Sequence, residues 1–284
     1  MVQRRLRVLV TISACLLVPP AAAGLDSAAA GLNTAAGLDS PAAAEPDIPG
    51  IHGLPGHVAE KISAHPQAYY WAIRKVTGEP KELLRLVDRS NGLDDGYEPD
   101  DLVELSNAEP HIQTNGRQQV TERTAESLSR MVRSAREDGV ELVVSSAYRS
   151  YDRQEALHDY WIDELGESLA VALSAPPGHS QHQLGTTIDF APVGRAFEDT
   201  PSDRWLRENA WRYGFSLSYP EGYEEVTGYN YESWHYRYIG TAASYVEKRF
   251  FAGIQQHMLE YLHDNRREIE RWTGRDHGDP ASGW

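Results

Sequence analysis

The stretch "GHSQHQLGTTIDFAP", residues 178–192, decides how the rest of the chain is read. In "TTIDF" the side chains alternate, so Thr187 and Asp189 face one way and Ile188 and Phe190 the other. That pattern predicts a strand with an apolar face on a core and a polar face on something else. An aspartate between apolar neighbours, if it faces inward, needs a partner or a metal. Gly185 lets the chain bend before the strand, so that His182 can return to the side of Asp189.

Outward from this strand, helical and extended segments mix without a regular strand–helix–strand rhythm. Residues 57–77 read as helical, interrupted at Pro66, with Tyr69, Tyr70, Ile73 and Val76 on one stripe. "LLRLVDRSNGL" (83–93) is expected to be a short strand closed by an Asn-Gly turn. From Thr121 to Asp138, Ala125, Leu128, Met131, Val132 and Ala135 recur at helical spacing before Gly139. "VELVVSSAYRS" (140–150) predicts a strand running into a loop, and "QEALHDYWIDEL" (154–165) a helix. "SDRWLRENAWRYG" (202–214) predicts a helix capped by Ser202 or Asp203 and stopped at Gly214. "FSLSYP" and "WHYRYIG" supply further strands, and residues 242–272 a helical region broken near Gly253. The expected class is α+β: a small antiparallel sheet with helices packed around it, and a metal site in a cleft on the sheet.

A second cluster completes the first. "YESWHYRY" (231–238) offers His235 with Glu232 three residues before it. Two histidines and one carboxylate, His182, Asp189 and His235, form a zinc ligand set that leaves a fourth position open to water, at one ion per chain. A carboxylate beside such a site, here Glu232, can take a proton from that water. Trp234, between base and ligand, reads as a packing wall. His158, His257 and His263 lie on predicted helices and read as surface or packing residues.

The termini read differently. "MVQRRLR" is basic, "VLVTISACLLV" is an apolar run of eleven residues, and "PPAAAG" offers a cleavage site after Ala23, so residues 1–23 read as an export signal. The alternative is a lipoprotein signal ending at Cys15, the chain's single cysteine. Residues 24–48, with AAGL(D/N)(S/T) three times, form an Ala/Gly-rich tether. A helical segment follows over 49–82, a catalytic domain over 83–272 and a tail over 273–284. The formal charge is −15, and loss of Arg4, Arg5 and Arg7 with the signal takes it to −15 − 3 = −18. Such a chain repels nucleic acid and anionic membranes, so neither is expected as a partner, and no membrane-spanning segment is expected in the mature chain.

"SSAYRSYDRQ", "PPGHSQHQLGTTIDF", "WLRENAWRYGFSLSYPEG" and "TGYNYESWHYRYIG", in that order over roughly residues 83–262, resemble the VanY-type D-alanyl-D-alanine carboxypeptidases. These belong to the zinc peptidases that include lysostaphin-like and hedgehog-like domains. The resemblance implies His182, Asp189 and His235 as zinc ligands and Glu232 as the catalytic base. It implies Arg149, Gln154 and Ser180 as substrate-binding residues, and peptidoglycan stem peptides as substrate. An arginine fork suits a terminal carboxylate or a developing oxyanion in so acidic a protein. His179, where relatives are expected to carry a tyrosine or a small residue, is left out of the metal shell because a fourth protein ligand would close the open position. The same site could also serve an L,D-carboxypeptidase, a dipeptidase or a cross-link endopeptidase. A non-catalytic wall-binding module on the same fold is the remaining alternative.

Overall fold

The computed structural model describes residues 47–274; the expected signal, nearly all of the tether and most of the tail lie outside the described residues. In chain order the helices are α1 (Gly56–Ser63), α2 (Pro66–Val76), α3 (Leu105–Ala108), α4 (Glu122–Glu137), α5 (Tyr151–Leu165), α6 (Glu167–Leu173), α7 (Pro201–Asn209), α8 (Glu224–Thr227), α9 (Thr241–Phe250) and α10 (Gln255–Gly274). The strands are β1 (Leu102–Glu104), β2 (Gln113–Thr114), β3 (Gln119–Thr121), β4 (Val143–Ser146), β5 (Thr187–Phe190), β6 (Phe215–Leu217) and β7 (His235–Tyr238).

Five strands form one sheet in the order β2-β4-β5-β7-β6. Its pairings are antiparallel except at the short edge strand β2, which joins β4 in parallel. β1 and β3 make a separate antiparallel ribbon. The strand β5 sits in the middle, and its alternation sorts the two faces. Ile188 and Phe190, with Val144 of β4, Tyr236 and Tyr238 of β7 and Phe215 of β6, enter the hydrophobic core. Thr187 and Asp189 turn to the opposite face, where they lie across from Arg237 and His235.

Helix α4 supplies Ala125, Leu128, Met131, Val132 and Ala135 to that core, all at 2% exposure or less. Burial of such side chains, at about 25 cal/mol per Å² of apolar surface, is what holds helix to sheet. The segment before residue 83 shares the same core. Tyr69 of α2 meets Phe250 of α9 edge-on at 5.2 Å, and Tyr70 meets Trp272 of α10 at 4.9 Å.

Two expectations are corrected. Residues 83–93 form no strand: a 3-10 turn covers Lys81–Leu84, and irregular chain follows. Leu83, Leu84, Leu86 and Val87 are all buried, which is not an alternating pattern. The carbonyls of Leu83 and Arg85 instead accept from the buried Arg237 Nη2, at 3.0 and 2.7 Å. A guanidinium thus takes the place of a neighbouring strand. The Asn-Gly turn is closed by Asp88, whose Oδ1 accepts from the backbone N–H of Ser90 and Asn91. The α7 cap is Thr200, not Ser202 or Asp203; its hydroxyl accepts from the Asp203 N–H at 3.1 Å. Asp203 is buried one turn inside, where it pairs with Arg207.

Candidate metal centre

Register places the first two ligands. Asp189 and His235 are direct partners in the β5–β7 ladder and lie on the same face. The third arrives through a 3-10 turn, Gln181–Leu184, closed by Gly185 at φ 67°. A side chain there would be strained, and a Cβ would stand 3.0–3.2 Å from Leu102, Pro99 and Thr121. The Gly185 carbonyl also accepts from the Thr121 N–H, which ties the turn to β3. His182, Asp189 and His235 are buried, and one ligand atom from each lies within 4.8 Å of the others. This is the arrangement expected from the sequence.

The chemistry of the donors can be read atom by atom. His182 Nδ1 donates to the Ala147 carbonyl at 2.7 Å, so its Nε2 carries a lone pair. That nitrogen lies 3.2 Å from Asp189 Oδ2. Asp189 Oδ1 is 3.1 Å from His235 Nδ1, yet it is a buried oxygen with no aligned hydrogen bond. His182 Nε2 and the Asp189 carboxylate, with His235 beside them, therefore converge on one point out of water, an arrangement able to hold a cation. Two imidazoles and a carboxylate fit zinc.

Without a metal the same crowding shifts the proton affinities. Burial raises the affinity of Asp189 for a proton, but His182 and His235 outweigh it and hold the carboxyl well below its usual range. Burial lowers that of His182. For His235 burial also pulls down, but the adjacent carboxylates of Asp189 and Glu232 prevail and lift it to about 9.

Glu232 stands at the open side of the cluster. Its Oε2 is 3.3 Å from His235 Nδ1, and its side chain keeps 26% exposure against 5–11% for His182, Asp189 and His235. The tight turn joining it to β7, with the His235 N–H donating to the Glu232 carbonyl, fixes this spacing. Trp234 is half-buried against the core, as expected of a wall.

Arg149 follows β4, and its backbone N–H donates to the His182 carbonyl. Its Nη1 donates to Gln154 Oε1 at 2.7 Å and its Nη2 to Ser146 Oγ at 3.3 Å. Burial weakens its hold on the proton, opposed by the nearby charges of Asp189 and Glu232. Gln154 is fully buried on α5, and its amide nitrogen donates to the Ala175 carbonyl and to Ser174 Oγ. Both ends of that amide are occupied, so in this structure it braces the guanidinium from behind. The Ser180 hydroxyl accepts from the His182 N–H and caps the ligand turn. His179 turns away: its Nδ1 lies 2.7 Å from the Asp88 carbonyl and its ring packs on Gly92. Among the described residues, His182, Asp189 and His235 are the one group of three or more such side chains that could hold a metal ion.

Several contributors escape sequence reading. Ser146, Gln181, Ser218 and Gln255 surround the cluster as hydrogen-bond partners, and the Tyr219 ring lies 4.6 Å from that of His235. The only signal in the sequence is a glutamine lodged between two site residues, Ser180 and His182.

An α+β domain with a buried His/Asp/His centre, a carboxylate at its mouth and a braced arginine beside it has the make-up of a metallopeptidase. Residues 117–241 match the family model of VanY, D-alanyl-D-alanine carboxypeptidase. A D-alanyl-D-alanine carboxypeptidase of Enterococcus faecalis (strain ATCC 700802 / V583) is 33% identical over 209 residues, 70% of this chain and 73% of that one. The solved LdcB LD-carboxypeptidase has a TM-score of 0.58 at 33% identity, covering 63% of this chain and 86% of its own. A mutant of a vancomycin-resistance D,D-pentapeptidase VanY in complex with Zn(II) has a TM-score of 0.51 at 31% identity, covering 64% and 99%. The chain belongs to the VanY D-alanyl-D-alanine carboxypeptidase family.

Proposed function

We propose that the protein is a zinc carboxypeptidase that removes the terminal D-alanine from peptidoglycan stem peptides. The observation that carries this reading is the convergence of the His182, Asp189 and His235 ligand atoms beside the partly exposed Glu232 carboxylate. His182, Asp189 and His235 hold the zinc, which supplies Lewis-acid activation of water and of the peptide carbonyl. Glu232 accepts the proton of the attacking water and passes it to the leaving amine. Arg149, set by Gln154 and Ser146, binds the terminal carboxylate or the developing oxyanion through its remaining N–H groups. The family membership and the enterococcal relative's name support D-Ala-D-Ala as the bond cut.

The likeness to LdcB favours a second reading, cleavage of an L,D bond at the end of a tetrapeptide. Incubation with defined muropeptides and mass spectrometry of the products separates the two. Conversion of pentapeptide to tetrapeptide supports the D,D reading, and conversion of tetrapeptide to tripeptide the L,D reading. Release of a dipeptide or opening of cross-links would overturn both. The basic and apolar start of the chain supports export, with cleavage after Ala23 or anchorage at Cys15. Fractionation of expressing cells, with the N-terminus of the mature protein sequenced, tests that. Among the described residues no helix is long and apolar enough to cross a membrane.

A further inference from the structure

Beneath His182, Asp189 and His235 lies a chain of two side-chain amides and a hydroxyl that no catalytic step uses. Gln181, Ser218 and Gln255 are at 3%, 2% and 1% exposure, and they come from the ligand turn, the residue after β6 and the first residue of α10. Its direction can be read from one end. The Ser216 carbonyl can only accept, so the Gln255 group facing it at 3.4 Å is the Nε2 amide. Gln255 Oε1 then faces Gln181, which presents its own Nε2 at 3.4 Å. Gln181 Oε1 must therefore point the other way, where it accepts from Ser218 Oγ at 2.7 Å and lies 3.2 Å from His235 Nε2. Ser218 agrees: its one proton goes to Gln181, and its lone pair accepts from Gln255 Nε2 at 3.2 Å. A flipped Gln181 would offer N–H to His235 Nε2 and drive the ring proton onto Nδ1, aimed at Asp189 and Glu232.

We propose that Gln181, oriented by the Ser216 carbonyl through Gln255, is a positioning residue that holds His235 as the Nε2–H tautomer and leaves Nδ1 to bind the metal. The inference rests on the zinc reading above and deepens it. The corresponding partner of His182 is a backbone carbonyl, that of Ala147, which no substitution removes. Among the two histidine ligands, only His235 depends on a replaceable side chain for its tautomer. Loss of such an outer partner costs about 10–100-fold in metal affinity.

Gln181→Met keeps the length and loses the acceptor, whereas Gln181→Glu keeps an acceptor oxygen. Zinc dissociation constants from chelator competition are expected to weaken by about 10–100-fold in Gln181→Met and to stay near the parent's in Gln181→Glu. Circular dichroism establishes that each variant is folded. Nitrogen-15 spectra of the zinc-loaded parent should show His235 bonded through Nδ1 and protonated at Nε2. A parent that binds no zinc sinks the zinc reading and this inference with it. A parent that binds zinc, with Gln181→Met as tight as the parent or Gln181→Glu as weak as Gln181→Met, overturns the inference alone. Should Gln181→Met fail to fold, the parent spectrum decides: zinc on His235 Nε2 overturns the proposal.

Discussion

Replacing Arg149 by lysine keeps the charge and removes the fork. In the structure one prong donates to Gln154 Oε1 at 2.7 Å and the other to Ser146 Oγ at 3.3 Å. A guanidinium has five N–H groups, so N–H groups remain to meet a substrate oxygen while the anchors stay in place. An ammonium on a flexible stem cannot hold both anchors and present a planar pair of donors. The expected loss is that of one charge-assisted hydrogen bond, about 1.5–3 kcal/mol. That corresponds to about a ten- to hundredfold fall in kcat/KM on a stem pentapeptide. Zinc content should stay near the parent's, because neither anchor belongs to the ligand set, and circular dichroism should show the variant folded. The control is a substrate amidated at its C-terminus. It should be poor for the parent, and Arg149→Lys should change its turnover little. If Arg149→Lys retains the parent's kcat/KM, or distinguishes free from amidated ends as sharply as the parent, the carboxylate-clamp assignment is wrong.

Glu232→Ala should leave zinc bound and the fold intact while lowering kcat by about 10²–10⁴-fold, the range for a lost general base; near-parental turnover in single-turnover assays would reassign the proton acceptor. Zinc removal by a chelator should lower stability, because at free zinc a hundred times the dissociation constant binding adds about 2.7 kcal/mol, or about 5–10 °C in Tm; an unchanged melting curve would count against a buried ligand set. Glu247 on α9 is buried, and burial, opposed by Lys248 and Ser216, lifts its carboxyl from 4.5 to about 8. The folded state therefore holds a proton that the unfolded chain releases, and its contribution to stability falls as pH rises from 4.5 through about 8. Glu247→Gln should match the parent near pH 4.5 and exceed it by up to a few kcal/mol above pH 8, at about 1.4 kcal/mol per pKa unit; urea titrations giving the same difference at both pH values would refute this.

Local pattern carries far in this chain. The alternation of "TTIDF" assigns Ile188 and Phe190 to the core and Asp189 to the site, because side-chain direction in a strand is fixed by the pleat alone. The helical spacing of Ala125 to Ala135 and the stops at Gly139 and Gly214 are equally local. So is the placement of Glu232 beside His235 in "ESWH", a matter of three residues along one turn. Residues 83–93 mislead for the opposite reason. Their leucines are buried, but their carbonyls are satisfied by Arg237, about 150 residues away, so no strand is needed. Gln154 could be placed on a helix from its spacing, whereas its burial behind Arg149 depends on where α5 meets the loop after β4. The choice of nitrogen on each histidine also belongs to the tertiary structure. Ala147 sets it for His182, and Gln181, Gln255 and Ser216 line up behind His235. Hydrogen-bond direction passes between groups that are adjacent in space and separated by 74 residues in the chain, as Gln181 and Gln255 are, and no periodicity in the sequence records it.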